Sequence, residues 1–372
     1  MTLKSAGVLS SCFIVASFIA LFCLQKRPGK SGEFDTFRDN FHSDISPRRA
    51  CKTRLFAYPE LEAATKGFDD GRKLVEGLNG TMYAGVLLDG SPVAVQKIQC
   101  ATESDLIQVL SEIDVLSSVK HRNLACLVGC CIDMPYTPLI VYECPPNGTL
   151  EEHLHQRREP KTGLDWPKRL SIAAETASVL AFLHYEVSPP IFHRDLKSGA
   201  IFLDENLSVK IAGFGLVTPK PRDYACTSLE KSTSSISTTT RFQKNDVCDL
   251  GLLLLEIIAG SNKPLDLPTL ALQKIRKGKL EEILDPLLYY HEQQGPRCEQ
   301  IANVADLATR CLLFGGDGKI GMVDVARELG QIAKDHGVDV GTSSSKRGPE
   351  ETFSNSSLLQ MISMSPDSVY LP

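Results

Sequence analysis

From Leu74 to Gly90 apolar residues alternate around glycines, short strand-like runs follow as far as Tyr142, and from Leu150 onward the chain is mostly helical in pattern. A change of period like this separates strands from helices along the chain. It points to an α+β fold, a small β-rich part followed by a larger helical part. In the first part, Leu124–Val128, Val93–Val95 and Leu139–Tyr142 read as strands, and Leu88-Asp89-Gly90-Ser91 reads as a hairpin turn. One helix interrupts them at Ser104–Val119, with Leu106, Ile107, Leu110, Ile113, Val115 and Leu116 at helical spacing. The second part carries helices at Leu170–His184, Val247–Gly260, Ile301–Leu313 and Met322–Ile332.

At 372 residues and 42% hydrophobic content, the chain can bury a sizeable core. A net charge of −5 gives no footing for nucleic acid as a partner. The 12 cysteines show no paired metal spacing. The neighbours Cys130 and Cys131 sit in a strand-like run, where adjacent side chains face opposite ways and make poor co-ligands. The cysteines read as reduced core thiols.

Residues 1–5 form a short flank, and Ala6–Leu24 carries no charge. As a helix this run spans roughly 28 Å, close to the ~30 Å of a bilayer core, and reads as a transmembrane helix. Lys26, Arg27 and Lys30 follow it, so the C-terminal side is expected in the cytoplasm, with single-pass insertion in the plasma membrane. A cleaved secretory signal, with Lys4 as its basic flank, is the competing reading. Residues 25–54 form a basic juxtamembrane linker, and 338–372, rich in Ser, Thr, Pro and Gly, reads as a disordered tail.

The stretch Ile191–Gly215 reads IFHRDLKSGAIFLDENLSVKIAGFG. It resembles the catalytic loop and metal-binding segment of eukaryotic protein kinases, H-R-D-L-K-x-x-N followed by D-F-G. YPELEAATKGF, HRNL, LVGCC, LIVYE, NGTLEEHLH and DVCDLGLLLLEIIAG extend the likeness in order along the chain. Together they are similar to the plant receptor-like kinases, the wall-associated-kinase-like group among them. The resemblance implies a two-lobed kinase-like domain over 55–337, with an N-lobe at about 55–143 and a C-lobe at about 144–337.

It also implies a set of losses. Ala200 and Gly213 stand where the family places its magnesium ligands, and neither has a side-chain oxygen. The glycine-rich loop keeps Gly77 and Gly80 but has Val75 at its first glycine position. Gln96 occupies the position of the strand lysine, which leaves Glu112, the helix glutamate, without its cation. Gln96 can still donate a neutral hydrogen bond to Glu112. Lys97, next in sequence, reaches the cleft only if a β-bulge turns it inward. The interval between Gly215 and Asp246 has no A-P-E. Its arginine partner is replaced within Lys319-Ile320-Gly321-Met322. The Ser/Thr-rich run Cys226–Thr240 reads either as a mobile loop or as a substrate for a partner kinase.

Asp195 and Lys197 remain from the catalytic loop. His193, Phe214, Leu116 and Leu127 match a hydrophobic column joining the lobes, with Asp246 at its base. Ala94 and Leu203 match the residues that sandwich an adenine, and Tyr142, Glu143 and Cys144 match the gatekeeper and hinge. The expectation is a catalytically inactive, membrane-anchored pseudokinase with no bound magnesium and at most weak ATP binding. It would serve as a scaffold or allosteric partner for other kinases or receptors. The alternative is a weak serine/threonine kinase that uses Lys97 in place of the strand lysine.

Overall fold

The computed structural model describes residues 53–77, 80–155, 163–217, 238–260, 267–289, 296–315 and 319–334, all within one compact unit, 1–336. The first part contains β1 (Arg54–Leu55), α1 (Tyr58–Ala64), β2 (Lys73–Gly77), β3 (Gly80–Val86), β4 (Pro92–Ile98), α2 (Glu103–Ser118), β5 (Leu127–Cys131) and β6 (Leu139–Glu143). The second contains α3 (Leu150–His155), α4 (Trp166–Tyr185), β7 (Ile201–Leu203), β8 (Val209–Ile211) and α5 (Thr238–Ala259). It ends with α6 (Leu267–Arg276), α7 (Pro286–Tyr289), α8 (Pro296–Phe314) and α9 (Met322–Lys334). The expected segregation of strands and helices is present, as two lobes.

The N-lobe is a 6-stranded sheet in the order β1-β5-β6-β4-β3-β2. Its central strand β4 shows how the sequence builds two faces. Val93 and Val95 point to one side, where they bury against Leu61 and Ala64 of α1 and Val141 of β6. Ala94 and Ile98 point to the other and join Met82 in an apolar cluster that continues into the C-lobe. Each valine buried in this way contributes about 1.5–3 kcal/mol. Helix α2 starts at a capping box. Thr102 accepts from the Asp105 amide at 3.2 Å, and the Asp105 carboxylate accepts from the Thr102 amide at 2.9 Å.

Three expectations need correction. The strand expected at Leu124–Val128 runs instead over Leu127–Cys131, and Leu124 forms an isolated bridge with Ile211 of β8. The shift has a steric reason: a side chain on Gly129 would lie 1.9 Å from the Arg54 carbonyl oxygen, so only glycine lets β1 pair there. The helix expected from Val247 begins at Thr238, and Phe242 in its added turns is buried below the Arg194 guanidinium, 4.3 Å away. Cys126 is disulfide-bonded rather than reduced.

In the C-lobe, Asp165 caps α4 by accepting from the Lys168 amide at 3.1 Å. Buried Arg169 ties α4 to its surroundings, donating to Leu164 and Ile257 carbonyls at 2.9 and 2.7 Å and pairing with Asp285. Among the described residues no helix is long and apolar enough to cross a membrane. The expected span 6–24, most of the linker, most of the Ser/Thr-rich run and the tail 338–372 lie outside the described residues.

Candidate functional site

The β7–β8 hairpin, α4 and α5 together position the loop that carries His193, Arg194, Asp195 and Lys197. Asp246 on α5 is its anchor. The carboxylate accepts from the His193 amide at 2.8 Å, the Arg194 amide at 2.7 Å and the His184 ring at 2.8 Å. Burial pushes the Asp246 carboxyl up, but hydrogen bonding and charge from His184, with help from His193 and the Arg194 amide, hold it below its ordinary value. Those bonds also fix Arg194 in a left-handed backbone, φ 66°, that a side-chain-bearing residue rarely adopts.

His193 donates from Nε2 to the Ala212 carbonyl at 2.9 Å, and its ring stacks on Phe214 with centroids 4.7 Å apart. Burial lowers its pKa, so the ring is neutral. Leu116 and Leu127 belong to the same apolar cluster as Phe214. Of the residues expected to join the lobes, His193 and Phe214 are stacked and His193 is bonded to Asp246.

The positions expected to hold nucleotide are arranged differently. Pairing of β3 with β4 is continuous from Gly80↔Ile98 to Val86↔Pro92, and β4–β6 pairing is likewise unshifted. Gln96 and Ile98 line the cleft, so Lys97 between them faces the other side, its ammonium 4.7 Å from the Phe68 ring centroid. Lys97 is therefore not a cleft residue, because no bulge reverses the strand.

Gln96 does not bond Glu112 either. Its amide donates to the Phe214 carbonyl at 2.9 Å and accepts from the Tyr142 hydroxyl at 3.3 Å. Glu112 pairs instead with Arg194 at 2.8 Å and accepts from Gln108 at 2.9 Å. A guanidinium makes the stronger, charge-assisted bond, and it takes the glutamate that a neutral amide would have shared.

At Gly213, where a metal ligand would stand, the nearest side chains are apolar. Gly213 has a φ of +75°, and a Cβ there would lie 3.1 Å from the end of Met82 and 3.3 Å from the Ala200 Cβ. Buried Met82 occupies this space. Val75 closes on the loop from above: a Cβ on Gly199 would lie 2.8 Å from the Val75 Cβ. Asp195 is only 7% exposed, with a carboxylate oxygen 2.6 Å from where a Gly77 Cβ would be. Gly80 is equally close to β4, since its Cβ would meet the Lys97 carbonyl oxygen at 2.0 Å. Lys197 donates to the Glu76 carbonyl at 2.7 Å and lies 3.3 Å from the Asp195 carboxylate.

The space left in the cleft is about 20 Å³, lined by Val75, Met82, Gln96, Asp195, Ala200 and Gly213 among others. That is room for about one ordered water beyond the lining atoms. Ala94 and Leu203, the expected adenine sandwich, are both fully buried in the continuous core. Tyr142 is buried and its phenol is pushed up by desolvation. Glu143 and Cys144 are half-buried at the lobe junction, and burial pushes the Cys144 thiol up to about 11. Among the described residues no group of three or more His, Cys, Asp or Glu could hold a metal ion.

Sequence reasoning missed Met82 as a cleft residue and Arg194 as the partner of Glu112. The only signal for Met82 was a large apolar side chain on a strand facing the expected phosphate site.

Comparison with known proteins agrees with this architecture. The family model for protein tyrosine and serine/threonine kinases matches residues 68–312. A protein of Arabidopsis thaliana named as a probably inactive receptor-like protein kinase is 50% identical over 99% of this chain and 54% of its own length. Wall-associated receptor kinase-like 14 of the same organism is 38% identical over 75% of this chain and 41% of its own. The chain thus spans about half the length of the curated relatives it matches. Among solved structures, the pseudokinase domain of BIR2, an immune regulator of the RLK/Pelle family, is 29% identical with a TM-score of 0.61, covering 76% of this chain and 87% of that one. The pseudokinase DRIK1 shares the fold at 24% identity and a TM-score of 0.54, covering 76% and 97%.

Proposed function

Since the chain belongs to the protein tyrosine and serine/threonine kinase family, in its receptor-like branch, we propose that it acts as a membrane-anchored pseudokinase that transfers no phosphate and signals through its folded surface. The observation that carries this reading is the cleft. Val75 and Met82 narrow its phosphate end, and among the described residues no cationic strand side chain lines it. Phosphoryl transfer rests on positioning and on neutralising phosphate charge, and a single cationic contact to the transition state is worth about 10³–10⁵ in rate. Gln96, Ala200 and Gly213 supply neither metal ligand nor cation. Asp195 can serve as a base only toward an aligned substrate hydroxyl, and here it lies covered by β2.

The kinase-like domain would lie on the cytoplasmic side of a single span at 6–24, with active receptor-like kinases as partners. The uncharged run, its basic C-terminal flank and the receptor-like relatives support that placement. A weak kinase built on Lys97 draws no support from the strand register. The purified chain, incubated with γ-labelled ATP, magnesium and a generic protein substrate, is expected to label neither itself nor the substrate. Labelling that disappears in Asp195→Asn would overturn the proposal.

A further inference from the structure

The cations left in the old catalytic loop each reach across to the N-lobe. Lys197 donates to the Glu76 carbonyl of β2 at 2.7 Å. Arg194 pairs with Glu112 of α2 at 2.8 Å, while its guanidinium also lies over the Phe242 ring of α5. These bonds fasten separate parts of the N-lobe, the edge strand and the helix, to one short C-lobe loop. In kinases that use nucleotide, lid and lobe closure follows ligand binding. Here side chains of the chain itself span the two lobes.

We propose that Lys197 and Arg194 form an interlobe latch, which holds the cleft shut and the two lobes in one orientation without any ligand. The surroundings fit that role. The Arg194 and Glu112 side chains are 11% and 24% exposed, so their pair is shielded from solvent, whereas Lys197 at 39% is partly screened. Gly199 has no side chain to hold Val75 off, and Gln96 adds a neutral tie to the Phe214 carbonyl. The latch gives a partner one fixed surface to recognise, with the lobe angle set by residues rather than by nucleotide. It rests on the reading of the cleft as closed without ATP.

Hydrogen exchange on the full chain tests it, comparing wild type with Lys197→Met, Lys197→Arg and Glu112→Gln. Glu112→Gln breaks the ion pair without removing Arg194, whose backbone and ring contacts serve the fold. Peptides covering Lys73–Val86 and Ala212–Leu216 are expected to exchange about threefold faster in Lys197→Met and about tenfold faster in Glu112→Gln. Helix Trp166–Tyr185 should keep its wild-type rate, and Lys197→Arg, which keeps a donor, should stay near wild type. Wild-type rates in the cleft peptides of both Lys197→Met and Glu112→Gln overturn the latch. So does a uniform rise that includes Trp166–Tyr185, which reports general destabilisation. Mg-ATP added to wild type separates the two claims. A response there removes the ligand-free premise and with it the latch as stated. No response, with unchanged variants, removes the latch alone.

Discussion

Replacing Gly213 by Asp restores the residue type that the family uses to hold metal, and the structure predicts damage to the fold rather than recovered chemistry. Gly213 has a φ of +75°, and a left-handed backbone costs a residue with a Cβ about 1–2 kcal/mol, Asp lying toward the low end. The new Cβ would meet the end of Met82 at 3.1 Å, but a methionine terminus gives way, so this adds less than about 1 kcal/mol. The larger cost is the carboxylate, set among buried Ala200, Ala212 and Phe214 with Gln96 where a lysine would be. A buried group left without its partner costs about 1–3 kcal/mol. Together these give about 3 kcal/mol, or a fall in Tm of about 6–12 °C at roughly 2–4 °C per kcal/mol.

Gly213→Ala carries the backbone and contact costs without the charge, so the difference between the variants isolates the carboxylate. Burial raises the folded pKa of the new Asp above its unfolded value, so the folded state holds the proton longer and stability falls as pH rises. The deficit should be larger at about pH 7.5 than at about pH 5. Thermal unfolding with and without magnesium reads all of this. A Gly213→Asp protein as stable as wild type, or stabilised by magnesium, would refute the reasoning.

Gly199→Ala should destabilise the domain by about 1–3 kcal/mol in urea unfolding, because its Cβ would sit 2.5 Å from a Glu151 oxygen and 2.8 Å from the Val75 Cβ. Lys97→Ala should lose about 0.5–1 kcal/mol, from the contact with Phe68, and leave any response to ATP unchanged. Asp246 has a folded pKa held below its ordinary value of 3.8. Its contribution is therefore present above that value and lost as pH falls through the folded one. Asp246→Asn should cost about 3–5 kcal/mol at neutral pH and flatten the acid limb of the stability curve, measured by denaturant midpoints from about pH 7 down to pH 2.

Much of this was legible in the sequence. The change from strand to helix period located the lobes, and ordered motifs gave the fold. Set against the kinase resemblance, Gln96, Ala200 and Gly213 announced missing chemistry. The way the cleft closed was not legible. Met82 is 131 positions from Gly213, and their meeting depends on the angle between the lobes, which no local pattern encodes. The same holds for Arg194 and Glu112, where a charged partner from another lobe outcompeted the neutral neighbour that strand geometry placed nearby. The late start of β5 was set by the approach of β1 to Gly129, a contact between distant segments. Phe242 drew α5 back to Thr238 through burial below Arg194, although the turn around it is polar.

The central claim is that the chain's own side chains have replaced nucleotide in the cleft. Calorimetric titration of Mg-ATP into the purified chain tests it most directly. No saturable heat is expected up to about 1 mM ATP, with or without magnesium. Stoichiometric binding in the micromolar range that requires magnesium would contradict it.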